Sequence, residues 1–535
     1  MISARHVLLA ALCLAWIIPG LVGHDPWKPD EAYTFGVVYE ILKGGSWVVP
    51  HLAGEVFLNE PPFFHLTAAA AARVFSPALL LHDAARLVTG FYMAATFVFC
   101  ALAGRELNGQ RYGTIAALLL LGCFGLVLRS HQLITDVAAL CGFAVAHYGF
   151  ALALRRPIAG GAWLGFGAGL VFMTQGPLEA GMLAAVAALL PLAPPWRTGR
   201  YAAALGVALL IAAPWCTVWP VLLHQHWPAL FDQWFWTHNF ARLYGDLEHG
   251  LTYYLRLLPW YAWPVWPIAL WTLWRARIAG FGQPGVAMPA LSFLVMLAML
   301  SLAPEVRELH ALPLLLPLTL LATPTAHSLR RGAANAWYWF GVMGCTFGVL
   351  VAWFYWSGLE LGAPSRLHAH LHRMQPGYDP GFKLLPFALG AGYTLAWFGF
   401  VLGLRRSPER PVYIWAAGVT TLWALLAILF VGWIDTGKSY RSMVASLQQA
   451  LPDKYDCIAS RELGESQRAM LHYYAGIITH RVERPGSRRN CELMLIQGHP
   501  RSETAPAGNW RKIWEGARPG DKDERYRLYR RASKR

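Results

Sequence analysis

Charge is what this 535-residue sequence has least of: 14% of its residues are Asp, Glu, Lys or Arg. A soluble domain carries about 25%, so a chain made only of soluble globular domains is excluded. Cysteine is also sparse, with eight in all, and six of them fall inside apolar runs where a small thiol simply packs. A disulfide scaffold is therefore excluded. Cys457 and Cys491 stand apart near the C-terminus, where a bond is permitted if that segment faces an oxidising compartment. No internal repeat and no low-complexity tract is visible. No nucleic-acid motif accompanies the net charge of +15.

In place of charge there are long apolar stretches. Apolar residues make up 56% of the chain, gathered in runs of about 17–22 residues, the length a helix needs to cross a hydrocarbon core. Thirteen such runs are expected, near 7–23, 84–104, 113–128, 132–154, 158–174, 177–193, 201–222, 256–274, 286–303, 309–326, 336–358, 384–404 and 411–433. The first is long, lacks a good small-x-small cleavage site and precedes many others, so it is read as a retained helix. Arginines fall at every second boundary: Arg5, Arg105 and Arg111, Arg155 and Arg156, Arg197 and Arg200, Arg275 and Arg277, Arg330 and Arg331, and Arg405, Arg406 and Arg410. The positive-inside rule puts those ends in the cytoplasm and the C-terminus outside. It also splits 157–195 into two crossings at Thr174–Pro177.

The outward connections are very unequal. Long ones span 24–83, 223–255 and 359–383, and a tail follows the last run, while every inward connection is short. Residues 24–83 predict two helices lying in the membrane interface. One starts at Asp30–Glu31, repeats Ala32, Phe35, Val38, Tyr39 and Leu42 on one face, and stops at Gly44–Gly45. The other covers 63–75, after Pro61–Pro62. The tail carries 20 Lys and Arg against 12 Asp and Glu, a net of +8. Long domains escape the positive-inside rule, and anionic lipid headgroups are one use for such charge. Helices near 438–451 and 465–475 and strands at 457–460 and 493–497 predict a small α/β domain. The fold class expected is an α-helical polytopic membrane protein, with a membrane domain at 1–433 and a soluble α/β domain at 434–535.

Two groups of acids stand out. Asp30 and Glu31 begin the first interfacial helix; an ordinary helix cap with a dipole-favoured neighbour looks the same. Asp136 opens the fourth run in Ser130–His131–Gln132–Leu133–Ile134–Thr135–Asp136 and is followed by eighteen uncharged residues. An acid at that depth is a functional candidate by default, with a salt bridge to Arg129 as the plainer account. A carboxylate at the water–lipid boundary can accept a proton from an acceptor hydroxyl. His368 and His372 share a helical face at metal-ligand spacing, but interfacial histidines more often hydrogen-bond or snorkel. The tryptophans around 223–255 fit an aromatic belt.

The run D-E-A-Y-T-F-G-V-V-Y-E-I-L-K-G-G-S-W-V-V-P-H-L-A-G-E-V-F-L-N-E-P-P-F-F-H, from Asp30 to His65, resembles the first outer loop of bacterial GT-C glycosyltransferases. More narrowly it is similar to the lipid A aminoarabinose transferase and protein O-mannosyltransferase-like family. The resemblance continues through Asp136, Thr174–Pro177, His238–Arg242 and Arg307–Pro313. It implies a GT-C fold and an inverting transfer from a polyprenyl (undecaprenyl) phosphate sugar to lipid A, another envelope glycan or a protein. The reaction would lie at the periplasmic face of a bacterial inner membrane. Asp30 would be the catalytic acid residue, with Glu31 and Asp136 shaping its cavity. Arg242 and Arg307 would contact the lipid phosphate, where a fixed guanidinium holds the leaving group bidentately.

The departures are specific. Glu60 stands where the family has lysine before proline, Tyr33 and Thr34 stand where a basic residue follows the acidic pair, Gln175 replaces the lysine of T-K-G-P, and His310 replaces a tyrosine. Tyr33, Glu60 and His310 are therefore candidate donor-site residues. No cofactor and no metal site is required by these motifs, although Glu60 in the lysine position leaves room for a divalent cation. The partners expected are the lipid-linked donor, a lipid or glycan acceptor and membrane lipids, with no nucleic acid; a monomer is expected. The other class considered is a transporter or lipid flippase. Such proteins place polar groups near the bilayer midplane and show repeats, and neither feature is present. An oligosaccharide ligase is a nearer alternative that the motifs fit less well.

Overall fold

The computed structural model of the chain describes residues 4–127, 129–240, 246–303, 305–484, 490–502 and 505–532. Among them, nine helices are long and apolar enough to cross a membrane, from Leu81–Asn108 to Arg410–Leu429. The helices Tyr112–Leu121 and Phe124–His131 meet at a 68° bend and make a tenth crossing if taken as one. The other expected runs are helical but short or divided. Ala4–Ile17 has 14 residues and Pro177–Leu189 has 13. The run 256–274 is broken between Leu247–Tyr261 and Val265–Ala279, where Pro264 lacks the N–H that would continue the ladder. By length and composition, nine or ten crossings are found among the described residues, against the thirteen runs expected.

The helix Thr135–Ala153 runs through the centre, with all its residues buried except Asp136. It packs tightly on Pro157–Gln175 through small residues. A Cβ at Gly149 would lie 2.5 Å from the Leu164 backbone N, and one at Gly160 would lie 2.4 Å from the Ala153 N. This is how membrane helices gain dispersion contacts where lipid offers no hydrophobic drive.

At one end of the bundle lie the interfacial helices Asp30–Leu42 and Phe63–Phe75, joined by a hairpin of β1 (His51–Leu52) and β2 (Glu55–Val56). The C-terminal domain caps the same end. Its sheet has the order β4-β3-β5-β7-β6, from β3 (Ile458–Arg461), β4 (Thr479–Arg481), β5 (Leu493–Gly498), β6 (Trp510–Gly516) and β7 (Arg525–Arg531). β3 is parallel to β4 and β5, while β7 is antiparallel to β5 and β6. Cys457 and Cys491 are disulfide-bonded.

The helix Glu465–Ala475 docks this domain onto Asp30–Leu42. A Cβ at Gly36 would come within 2.5 Å of Ala469 Cβ, so glycine is what allows the approach. Arg468 pairs with Glu55 at 2.9 Å. Nearby, Arg441 donates through Nε to Asp25 at 2.9 Å, and Lys28 lies 3.4 Å from Glu524.

Candidate functional site

The first residue of the interfacial helix is Asp30 itself. The residue at the cap position is Pro29, and the Asp30 side chain accepts from Arg307 and not from a helix N–H, so the plain cap account fails here. The carboxylate is 3% exposed and turns toward the segment 305–310. Its Oδ1 accepts from Arg307 Nη2 at 2.6 Å. Its Oδ2 has no hydrogen-bond partner among the described residues, the nearest cation being Arg129 Nη1 at 3.8 Å. Burial alone would lower the Arg307 pKa, but the hydrogen bond and charge of Asp30 outweigh it and hold the guanidinium well above its ordinary range.

Arg307 opens on a cavity of about 480 Å³ whose walls include Tyr33, Glu60, Asp136, His310 and Glu465. Five of the eight residues singled out in the sequence therefore meet around one space, with Asp30 bonded to its arginine. Burial, followed by the charges of Glu60, Asp30 and Asp136, pushes the Tyr33 phenol well above its usual pKa. His65 stands behind Glu60, its Nε2 3.8 Å from Glu60 Oε2, and burial lowers its pKa to about 4, so it is neutral. Arg129 is engaged by Glu308 and donates to Gln132, and no ion pair joins it to Asp136.

Glu31 does not line this cavity. One oxygen accepts from Arg86 Nε at 2.5 Å and from the Leu133 N–H at 3.1 Å; the other accepts from the Trp27 N–H at 3.0 Å. Burial would raise its pKa, but Arg86 and His24 prevail and keep it below the ordinary value. Arg86 is fully buried and also donates to Asp83 at 2.6 Å. Glu31 thus ties the interfacial helix to the bundle. Arg242 lies outside the described residues. The motif that leads to it is anchored, because a Cβ at Gly176 (φ +112°) would lie 2.8 Å from Asn239 Oδ1. That contact brings Thr174–Pro177 beside His238–Asn239. Gln175 lines the cavity and donates to Thr135 Oγ1 at 3.3 Å.

Three further acids on the wall, Glu179, Glu305 and Glu465, were not anticipated from sequence. Glu179 had a legible signal, an acid two residues past Pro177 in an otherwise apolar run. Glu465 had none, because only the docking of the C-terminal domain brings it here. No cluster of three or more metal-ligating side chains forms among the described residues, the pair His368 and His372 included.

No family model matches the chain. It is similar to two curated proteins named undecaprenyl phosphate-alpha-4-amino-4-deoxy-L-arabinose arabinosyl transferase. The one from Pseudomonas paraeruginosa is 28% identical over 435 residues, 79% of this chain and 74% of the relative. The one from Pseudomonas savastanoi pv. phaseolicola is 27% identical over 441 residues, 79% and 76% of the two chains. The fold matches the crystal structure of ArnT from Cupriavidus metallidurans bound to undecaprenyl phosphate. The TM-score is 0.72 at 15% identity, with 98% of each chain covered. The apo form gives 0.71 at 16% identity, covering 98% of this chain and 97% of that one. The resemblance read from the first outer loop and the GT-C fold it implied are thereby supported along nearly the whole chain.

Proposed function

We propose that this chain transfers a glycosyl group from an undecaprenyl-phosphate-linked sugar to lipid A or another envelope acceptor, inverting the anomeric centre. The observation that carries this reading is the state of Asp30. Arg307, on the wall of the cavity, holds one carboxylate oxygen, and the other, buried behind that arginine, has no hydrogen-bond partner among the described residues. A carboxylate so placed can orient an acceptor oxygen and take its proton when it carries one. That oxygen attacks the anomeric carbon, the bond from that carbon to the phosphate oxygen breaks, and polyprenyl phosphate leaves. Arg307 faces the charge that gathers on the leaving phosphate. Arg242 is proposed as a second phosphate contact, and Asp136, Tyr33, Glu60 and His310 as the walls that position the sugar. Glu31 acts by positioning the helix that carries Asp30.

The sugar proposed is a 4-amino pentose, the one named for the curated relatives, and the acidic wall of the cavity favours it. The site is proposed to face the periplasm of a bacterial inner membrane, with residues 1–433 as the membrane domain and 434–535 as a soluble domain on that face. The arginine-rich short connections on the opposite side support this orientation. The Cys457–Cys491 bond is at home in an oxidising compartment.

The test is transfer by the purified protein from undecaprenyl-phosphate aminoarabinose to lipid A, read by mass spectrometry of the product. A lipid A heavier by one aminopentose is the expected result. Failure to transfer any sugar from any polyprenyl-phosphate donor defeats the proposal.

A further inference from the structure

We infer that Glu465, supplied by the C-terminal domain, is a specificity-determining residue that holds the positively charged substituent of the donor sugar. This rests on the transferase reading above. Glu465 is the first residue of the docking helix and is half-buried at the cavity wall. The helix is fixed on the membrane domain at three levels. Ser466 Oγ donates to the Pro29 carbonyl at 2.7 Å, one residue before Asp30. Arg468 pairs with Glu55, and Ala469 sits against Gly36. Asn59 lies beside it on the cavity wall and favours its charged form. A carboxylate held this firmly loses little freedom on binding.

The charge of the cavity says what it is held for. Among the described residues, five carboxylates line it, those of Glu60, Asp136, Glu179, Glu305 and Glu465, beside one guanidinium, that of Arg307. That guanidinium is already matched by Asp30. A neutral sugar would displace water from these acids and offer no countercharge, which is costly. A protonated amine offers one positive charge and three donors.

Position then selects Glu465 among the acids. Tyr33 is surrounded by Glu60, Asp30, Asp136 and Arg307, which mark the reacting end. The charged neighbours of Glu465 are instead Arg468, Arg481 and Glu55, so it enters the cavity wall from the C-terminal domain and not from the cluster around Tyr33. A substituent across the ring from the anomeric carbon would reach that part of the wall. The C-terminal domain is thereby part of the binding site.

The experiment compares the full-length protein and Glu465→Gln in lipid nanodiscs, using undecaprenyl-phosphate aminoarabinose and undecaprenyl-phosphate arabinose as donors. The natural protein should prefer the amino donor. Glu465→Gln should lower kcat/KM for that donor by about tenfold, mainly through KM, as expected for a lost hydrogen bond to a charged group. The neutral donor should suffer much less, and Glu465→Asp should recover part of the preference. Equal losses on both donors would mean a structural role and overturn the inference, as would no loss on either. If the natural protein transfers neither sugar, this inference falls, and the transferase reading falls with it when no other polyprenyl-phosphate sugar is transferred either. If it transfers the amino sugar and Glu465→Gln does so equally well, only this inference falls.

Discussion

Asp30 and Glu31 are adjacent acids that the fold puts to different uses, and substitution should separate them. Asp30→Asn keeps shape and the hydrogen bond from Arg307 but cannot take a proton. Turnover should fall by about 10²–10⁴-fold, the usual worth of a positioned acid or base, while the melting temperature in detergent stays near that of the natural protein. Full activity would remove Asp30 from the reaction. Glu31→Ala should do the reverse, because it leaves the buried Arg86 short of its countercharge. Breaking a buried pair this way costs about 3–5 kcal/mol, to be read as a drop in melting temperature. Adding Arg86→Met together with Asp83→Asn should recover much of the loss, since these replacements remove both the arginine and the second carboxylate it pairs. No recovery would mean that Glu31 stabilises the fold by some other route. Sequence alone could not have told these two acids apart. Which of two neighbours faces a cavity depends on Arg86 and Arg307, which are 55 and 277 positions away from them.

The elements were legible wherever local pattern decides them. The helix expected at 63–75 is found at Phe63–Phe75, and the helix expected at 465–475 is Glu465–Ala475. Both carry clear stops and regular spacing. The strands β4, β6 and β7 were not expected, for β4 is only three residues long, β6 and β7 are strongly polar, and pairing in the sheet is what makes them strands. The contact between Gly36 and Ala469 likewise belongs to packing alone. Gly36→Ala should force the docking helix off the interfacial helix, at about 1–3 kcal/mol for overpacking. It should also reduce activity by shifting Ser466 from Pro29. Adding Ala469→Gly should restore activity, apart from the cost of a helical glycine of about 1 kcal/mol. The coupling between the two is measured by a double-mutant cycle on melting temperature and turnover. Additive effects would show that the helices do not meet there.

On the scale of the whole molecule, the site is built from segments spread between Tyr33 and Glu465. The motifs in the membrane region gave most of it, and the contribution of the C-terminal domain stayed hidden because no local pattern encodes domain docking. The seam that holds the two parts together contains opposed acids. Asp25 is kept below its ordinary pKa; burial opposes this, but hydrogen bonds from Arg441 and Ser439 outweigh it. Asp435 accepts from the Asp25 N–H at 3.0 Å and from Trp27 Nε1 at 2.8 Å. Burial and the charge of Asp25 raise its pKa to about 6, against the lowering pull of those two bonds and of Arg86. A carboxyl whose pKa is higher folded than unfolded favours the fold most when protonated. Its contribution is complete below the unfolded value near 3.8 and fades as pH rises through about 6. Asp25 acts in the opposite sense, so its contribution is lost only as pH falls below its unfolded value. Between pH 7.5 and 5 the Asp435 term dominates the difference between the natural protein and Asp435→Asn. That variant keeps an acceptor oxygen and removes the charge. It should melt higher at pH 7.5, by a temperature equivalent to roughly 1–2 kcal/mol, and the gap should narrow as pH falls through about 6 and close only near pH 3.8. A gap that stays constant across this range would show that Asp435 is already paired and that the seam is set by Asp25 and Arg441 alone.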